Sequence, residues 1–182
     1  ASEQLQLMLE DALEHGMAND VVVAQTITQA QQLWQIREHI PLAQSAEGLN
    51  IKHDISIPIS RIAEFVDHTL DVLVDAIPGI RLVNFGHLGD GNLHYNVQAP
   101  LGADGQAFLQ QHESTVNTLV FDAVQQFGGS ISAEHGIGTL KAHTLPNYKD
   151  ATALAMMRAI KNSLDPQGIL NPGSVLERST PV

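Results

Sequence analysis

Apolar positions along this chain fall into two periods, and the change from one to the other outlines the fold. From Glu3 to His15 they recur at Leu5, Leu7, Met8, Leu9, Ala12 and Leu13, a broad helical stripe that Gly16 can stop. Val21 to Gln25 (VVVAQ) reads as a strand, and a second helix covers about Thr28 to Ala43, with Ile36, Arg37 and Ile40 in its later turns. Between Ile51 and Ile59 the period drops to two. Ile51, His53, Ile55, Ile57 and Ile59 take one parity and Lys52, Asp54 and Ser56 the other, which predicts a strand with one polar face. Ser60 is placed to cap a third helix running to Ile77, after which Pro78-Gly79 turns the chain into a hairpin over Ile80 to Gln98. A fourth helix is expected from Gly105 to Phe127, a short strand at Ser130 to Glu134 (SISAE), and a last helix in AMMRAIKNSLDP, closed by Asp165-Pro166 and Gly168. The ILNPGSVL tail, rich in turn residues, is expected to be extended. Helices and strands alternating around a tight hairpin predict an α+β sandwich, its sheet largely antiparallel and its helices on one side, rather than a doubly wound parallel fold.

The hairpin carries the candidate chemistry. Asp90-Gly91 lies between two histidines in GHLGDGNLHYN, and Asp-Gly suits a two-residue type I′ turn, which needs positive φ at both central positions. Centring the turn there pairs Gly89 with Asn92, Leu88 with Leu93 and His87 with His94, whose Cβ atoms would then lie roughly 5 Å apart on one face. Two imidazoles so placed can share a metal ion. Asn96 has the parity of His94 and points to the same face. The Glu134-His135 pair, followed by Gly136 and Gly138, offers a third ligand and a base from another segment.

Composition narrows the chemistry further. A chain of 182 residues is long enough to bury a core without covalent staples, and it has no cysteine. Disulfides, thiolate ligands and iron-sulfur clusters are thereby excluded, which leaves nitrogen and oxygen donors suited to zinc, manganese or iron. A net charge of -11 with nine Lys and Arg opposes a nucleic-acid partner, which would require a basic footprint. No basic n-region with an apolar run opens the sequence and no stretch is long enough to span a bilayer, so a soluble, intracellular chain is expected. The glycines of GIGTLK lack phosphate-loop spacing, and there is no HExxH zinc-protease motif.

Four strings taken together, GHLGDGNLHYNV, ISAEHGIGTLK, WQIRE with IKHDISIP, and SLDPQGILNPGSVL, resemble the C-terminal half of the FAD-linked oxidase family related to vanillyl-alcohol oxidase. The resemblance runs from about residue 20 to residue 176 and implies a ferredoxin-like α+β substrate domain. It further implies a flavin-dependent dehydrogenase of D-lactate, glycolate or D-2-hydroxyglutarate type, which converts a 2-hydroxy acid to a 2-oxo acid. On this sequence it assigns His87, His94 and Glu134 as ligands of a divalent ion, zinc first, with manganese or iron as alternatives. His135 becomes the catalytic base, Arg37 and Lys52 the partners of substrate carboxylates, and Asn96 a hydrogen-bonding residue of the pocket.

The same resemblance implies FAD bound mainly by an N-terminal domain that this sequence does not include, so the chain is expected to be a piece of a longer protein and inactive alone. Residues 1–164 would form the substrate domain and 165–182 a tail returning to the FAD domain. The expected partners are the hydroxy acid, that FAD domain and an electron acceptor such as a quinone, cytochrome or electron-transfer flavoprotein. The expected location is the cytoplasm, or the periphery of the inner membrane for the full-length protein. Two positions depart from the pattern. Pro41 stands where members acting on 2-hydroxyglutarate carry a substrate-contacting threonine, which argues against that substrate, and Ser174 stands where lysine is common. The alternatives are a metal-dependent hydrolase and a structural cap whose histidines bind nothing.

Overall fold

The computed structural model describes residues 2–178 and divides the chain into two compact units, Ala1–Glu47 and Gly48–Val182. The first unit is three helices: α1 (Ser2–Glu14), α2 (Ile27–Glu38) and α3 (Ile40–Ala46). Thr26 caps α2 by accepting the Gln29 N–H at 3.2 Å. The single helix expected over residues 28–43 is broken at His39. Pro41 is the reason: it lacks the N–H that would have reached the Arg37 carbonyl and its ring crowds that group, whereas near the start of α3 neither defect matters. Val21 to Gln25 form no strand, and Val22 and Val23 are exposed. A β-branched run makes a strand only where an edge is available to pair with it. The one buried residue described in this unit is Gln44, so the apolar sides of its helices cover no core of their own.

The second unit is built on an antiparallel sheet with β4 (Asn92–Gln98) inside it. One flank of β4 pairs with β3 (Arg81–His87), the other with β1 (Asn50–Ile51) and β2 (Asp54–Ser56). Ile51↔Val97 and Asp54↔His94 belong to one register, and the Tyr95 N–H donates to the His53 carbonyl at 3.0 Å, so residues 50–56 act as a single strand with a short interruption. α4 (Ile62–Ala76) crosses from β2 to β3 and α5 (Gly105–Gln126) leads from β4 to Ser130, which bridges antiparallel to Ser56. The order β-α-β-β-α-β with the second and third strands as a hairpin is the ferredoxin-like arrangement of two split β-α-β units. Its last strand is reduced to that bridge, because the expected SISAE strand turns away after Ser130 to bond a side chain described below.

Side-chain alternation divides the sheet into two faces. Ile51, Ile55, Ile57, Leu93, Tyr95 and Val97 are buried toward α4 and α5, against Phe65, Leu73, Val116, Val120, Phe121 and Val124. Ile59, given the same parity from the sequence, is exposed instead, because the chain has already turned into a 3-10 segment, Ile59–Arg61. That segment also displaces Ser60 from the cap position, and α4 begins at Ile62 with no side-chain cap. After α5, a short α6 (Leu145–Tyr148) precedes α7 (Ala151–Leu164), which Asp150 caps. The tail is not extended. Asp165, buried, accepts the N–H groups of Ile169 and Leu170 and the Lys161 ammonium, and the backbone of Asn171 and Val175 turns left-handed.

One buried polar group on the apolar face ties stability to pH. His53 is 1% exposed, with Nδ1 donating to the Tyr95 carbonyl at 2.7 Å and Nε2 2.9 Å from the Asn117 carboxamide. Burial, only partly opposed by these bonds, lowers its pKa from 6.5 to about 4. The unfolded chain therefore binds the proton more readily than the folded one, so this contribution is complete above pH 6.5 and drains as pH falls toward 4. Its size is about 3 kcal/mol. Urea unfolding at pH 7 and pH 4.5 should show that loss in the parent and a smaller one in His53→Gln; equal losses in both would contradict this assignment.

Candidate metal and active site

The other face of the sheet carries the polar residues, and β4 sets their order. Asn92, His94 and Asn96 alternate with its apolar positions; Asp54 lies directly across from His94 on one side and Phe85 on the other, while His87 lies across from Asn92. His87 and His94 are thus diagonal neighbours and not the directly opposed pair that a two-residue turn implies. The turn is longer: residues 88–91 form a 3-10 turn closed by Gly91 in the left-handed region at φ 77. Asp90 contributes by accepting the Asn92 N–H at 3.0 Å. A Cβ on Gly91 would lie 2.2 Å from the Ile57 carbonyl, so strand packing demands glycine there as well as the turn. The register differs by two residues from the expected one. Because strand side chains alternate with period two, both histidines keep the predicted face.

The Glu134-His135 pair reaches this face from the loop that follows Ser130. Glu134 Oε1 lies 3.3 Å from His94 Nε2, Glu134 Oε2 lies 3.9 Å from His87 Nδ1, and the rings of His87 and His94 are 6.5 Å apart. His135 stands beside them, its ring 5.8 Å from that of His94 and its Nε2 3.8 Å from Glu134. Phe85 packs on His94 from β3 at 4.9 Å. His94 is largely covered, with its side chain 16% exposed, whereas those of His87 and His135 are 54% and 67% exposed and open to an incoming molecule.

Asp54 is the residue that sequence reasoning missed. Its buried carboxylate accepts the N–H groups of Ala133, Glu134 and His135 at 3.1, 3.2 and 2.9 Å, together with the Ser132 hydroxyl at 3.2 Å. Burial pushes its pKa up, but the bonds from His135, Glu134 and Ala133, helped by the His135 charge, outweigh that and leave it below the usual carboxylate value. The signal was present in the sequence as an acidic residue on the polar parity of the 51–59 strand; what remained hidden was that this residue faces His94 and the loop. Lys141 adds a second tie, donating to the Ile131 carbonyl at 2.6 Å.

The donor set suits a divalent cation. Ligands 2.0–2.1 Å from a tetrahedral zinc lie about 3.3 Å from one another, the separation seen between His94 and Glu134. His87 Nδ1, 3.9 Å from Glu134 Oε2, would have to approach to complete such a set. Partial burial lowers the His94 pKa against the opposing pull of Glu134 and Asp54, favouring the neutral imidazole that a metal requires. Among the described residues, one donor atom each of Asp54, His94, Glu134 and His135 lies within 4.8 Å of the others, a grouping that His87 does not join.

The remaining predicted residues are placed less uniformly. Asn96 is buried, and its Oδ1 accepts the His53 N–H at 3.3 Å across the interruption between β1 and β2. Lys52, in that interruption, is exposed and has the parity of Asp54. Arg37 lies in the last turn of α2, in the first unit.

Similarity to known proteins identifies the family. Residues 1–175 match the family described as FAD linked oxidases, C-terminal domain. A D-2-hydroxyglutarate dehydrogenase of Xanthomonas citri pv. viticola is 44% identical over 168 residues, 92% of this chain and 35% of that protein. One of Stutzerimonas stutzeri is 37% identical, covering 96% of this chain and 37% of its own length, and a mitochondrial one of Arabidopsis thaliana is 39% identical, covering 97% and 30%. The chain spans about a third of the length of these curated relatives. Among the described residues no helix is long and apolar enough to cross a membrane. With its family model matched over nearly the whole sequence, the chain belongs to the FAD-linked oxidases, as their C-terminal domain.

Proposed function

We propose that this chain is the substrate- and metal-binding part of an FAD-dependent dehydrogenase that oxidises a D-2-hydroxy acid to the 2-oxo acid. The observation that carries the reading is the convergence of His87, His94 and Glu134 with His135 beside them on one face of the sheet. In this reading residues 1–164 serve the substrate, and the tail from 165 returns to an FAD-binding domain outside this sequence.

His87, His94 and Glu134 would hold a divalent ion, zinc first and manganese or iron as alternatives, and the chemistry it supplies is Lewis acidity toward the hydroxyl and carboxylate of the substrate. FAD, held by the domain outside this sequence, would supply the hydride acceptor, with a quinone, a cytochrome or an electron-transfer flavoprotein as the proposed electron acceptor. The protein's own part is proton transfer and orientation. His135, exposed beside the metal ligands, takes the hydroxyl proton as general base, so that loss of one proton and one hydride leaves the 2-oxo acid. Asn96 is assigned to the substrate pocket on the strength of the resemblance. Arg37 and Lys52 are assigned to carboxylates on the strength of the resemblance. The relatives' names make D-2-hydroxyglutarate the first substrate to try. Pro41 offers neither hydroxyl nor backbone N–H to a distal carboxylate.

Three outcomes are expected. Zinc should bind the protein stoichiometrically, and Glu134→Gln should weaken it by at least about a hundredfold in chelator competition; parent-like affinity in that variant would remove Glu134 from the ligand set. In the flavoprotein that contains this chain, His135→Ala should slow stopped-flow flavin reduction at saturating hydroxy acid by about 10²–10⁴-fold, and an unchanged rate would exclude His135 as the base. Lys52→Met should raise KM for D-2-hydroxyglutarate more than for D-lactate. A uniform effect on both substrates would mean that Lys52 does not read the second carboxylate.

A further inference from the structure

We infer that Asp54 is a positioning residue, which presents Glu134 to the metal and His135 to the substrate by holding the backbone of their loop; the inference rests on the metal-site reading above. Three consecutive N–H groups, those of Ala133, Glu134 and His135, converge on one carboxylate, and Gly136 follows in the left-handed region at φ 76. Successive amides turned inward in this way form a concavity that binds an anion. Here the anion is part of the protein itself, supplied by β2.

The hydrogen-bond inventory separates this role from that of a fourth metal ligand. Oδ2 of Asp54 accepts from Ser132 Oγ and from all three amides, and Oδ1 accepts from the Glu134 N–H at 3.2 Å. A cation at Oδ2 would meet the positive ends of those amides and displace them. The placement of Asp54 also fits a positioning role. It lies directly across from His94 in the sheet, so one carboxylate fixes the distance between the strand that carries a histidine ligand and the loop that carries the glutamate. The paired Ser56 and Ser130 hold the start of the same loop at 2.8 and 3.0 Å, and Lys141 holds Ile131, so the loop is fixed up to the residue before Ser132 and by Asp54 beyond it.

Asn at position 54 would keep one acceptor and turn an NH₂ toward backbone donors, releasing part of the loop with almost no change in volume. In the full protein, Asp54→Asn should retain the parent circular dichroism, weaken zinc by about 10–100-fold in chelator competition, and speed amide exchange in residues 132–136. A folded Asp54→Asn with parent zinc affinity and parent exchange would overturn the inference. If that variant does not fold, Ser132→Ala decides, since it removes one donor and leaves the carboxylate: about threefold weaker zinc supports positioning, and unchanged affinity overturns it. Glu134→Gln, run alongside, distinguishes the two levels of the argument. Parent zinc binding that this variant leaves intact would bring down the metal-site reading and the inference together, whereas zinc lost in Glu134→Gln but kept in Asp54→Asn would bring down the inference alone.

Discussion

The period-two alternation of β4 is the constraint on which the site depends. Leu93, Tyr95 and Val97 are locked under α4 and α5, and that burial forces Asn92, His94 and Asn96 to the opposite face. Registers on both flanks then bring Asp54 and Phe85 to His94 and leave His87 diagonal to it. The polar face therefore needs no separate scaffold, because its geometry comes from the packing of the core behind it. A change that slipped β4 by one residue would bury the imidazole of His94 and expose Tyr95, and core and site would be lost together.

Because face and register are separable, the sequence revealed one more reliably than the other. Face depends only on parity, and the polar parity of Lys52, Asp54 and Ser56, like that of His87 and His94, could be read directly. Register depends on the turn, and there Asp90-Gly91 misled: Gly91 does adopt positive φ, but as the last residue of a four-residue connection in which Asp90 accepts a backbone N–H. An even error left both histidines on the right face. The misreadings of residues 21–25, 28–43 and 130–134 share another cause, since each depended on a partner or a backbone defect that local pattern does not encode. A strand needs an edge, a helix needs an unbroken donor series, and the chain after Ser130 prefers the Asp54 carboxylate to a ladder. Asp54 was visible as a residue but not as an anchor, because its partners lie about 80 positions away.

The two units differ in how they bury apolar surface. Gly48–Val182 contains the whole hydrophobic cluster, whereas Ala1–Glu47 buries no apolar side chain among its described residues and exposes Leu7, Met8, Val22, Ile27, Trp34 and Ile36.

The central claim, that the hairpin face and the loop beyond Ser130 form one cation site, is tested most directly by anomalous diffraction at the zinc edge from crystals equilibrated with zinc. The account predicts a peak bounded by His87 Nδ1, His94 Nε2 and Glu134, with both carboxylate oxygens of Asp54 still bound to the loop amides. A peak coordinated by Asp54 with those amides displaced, or no peak on this face of the sheet, would contradict it.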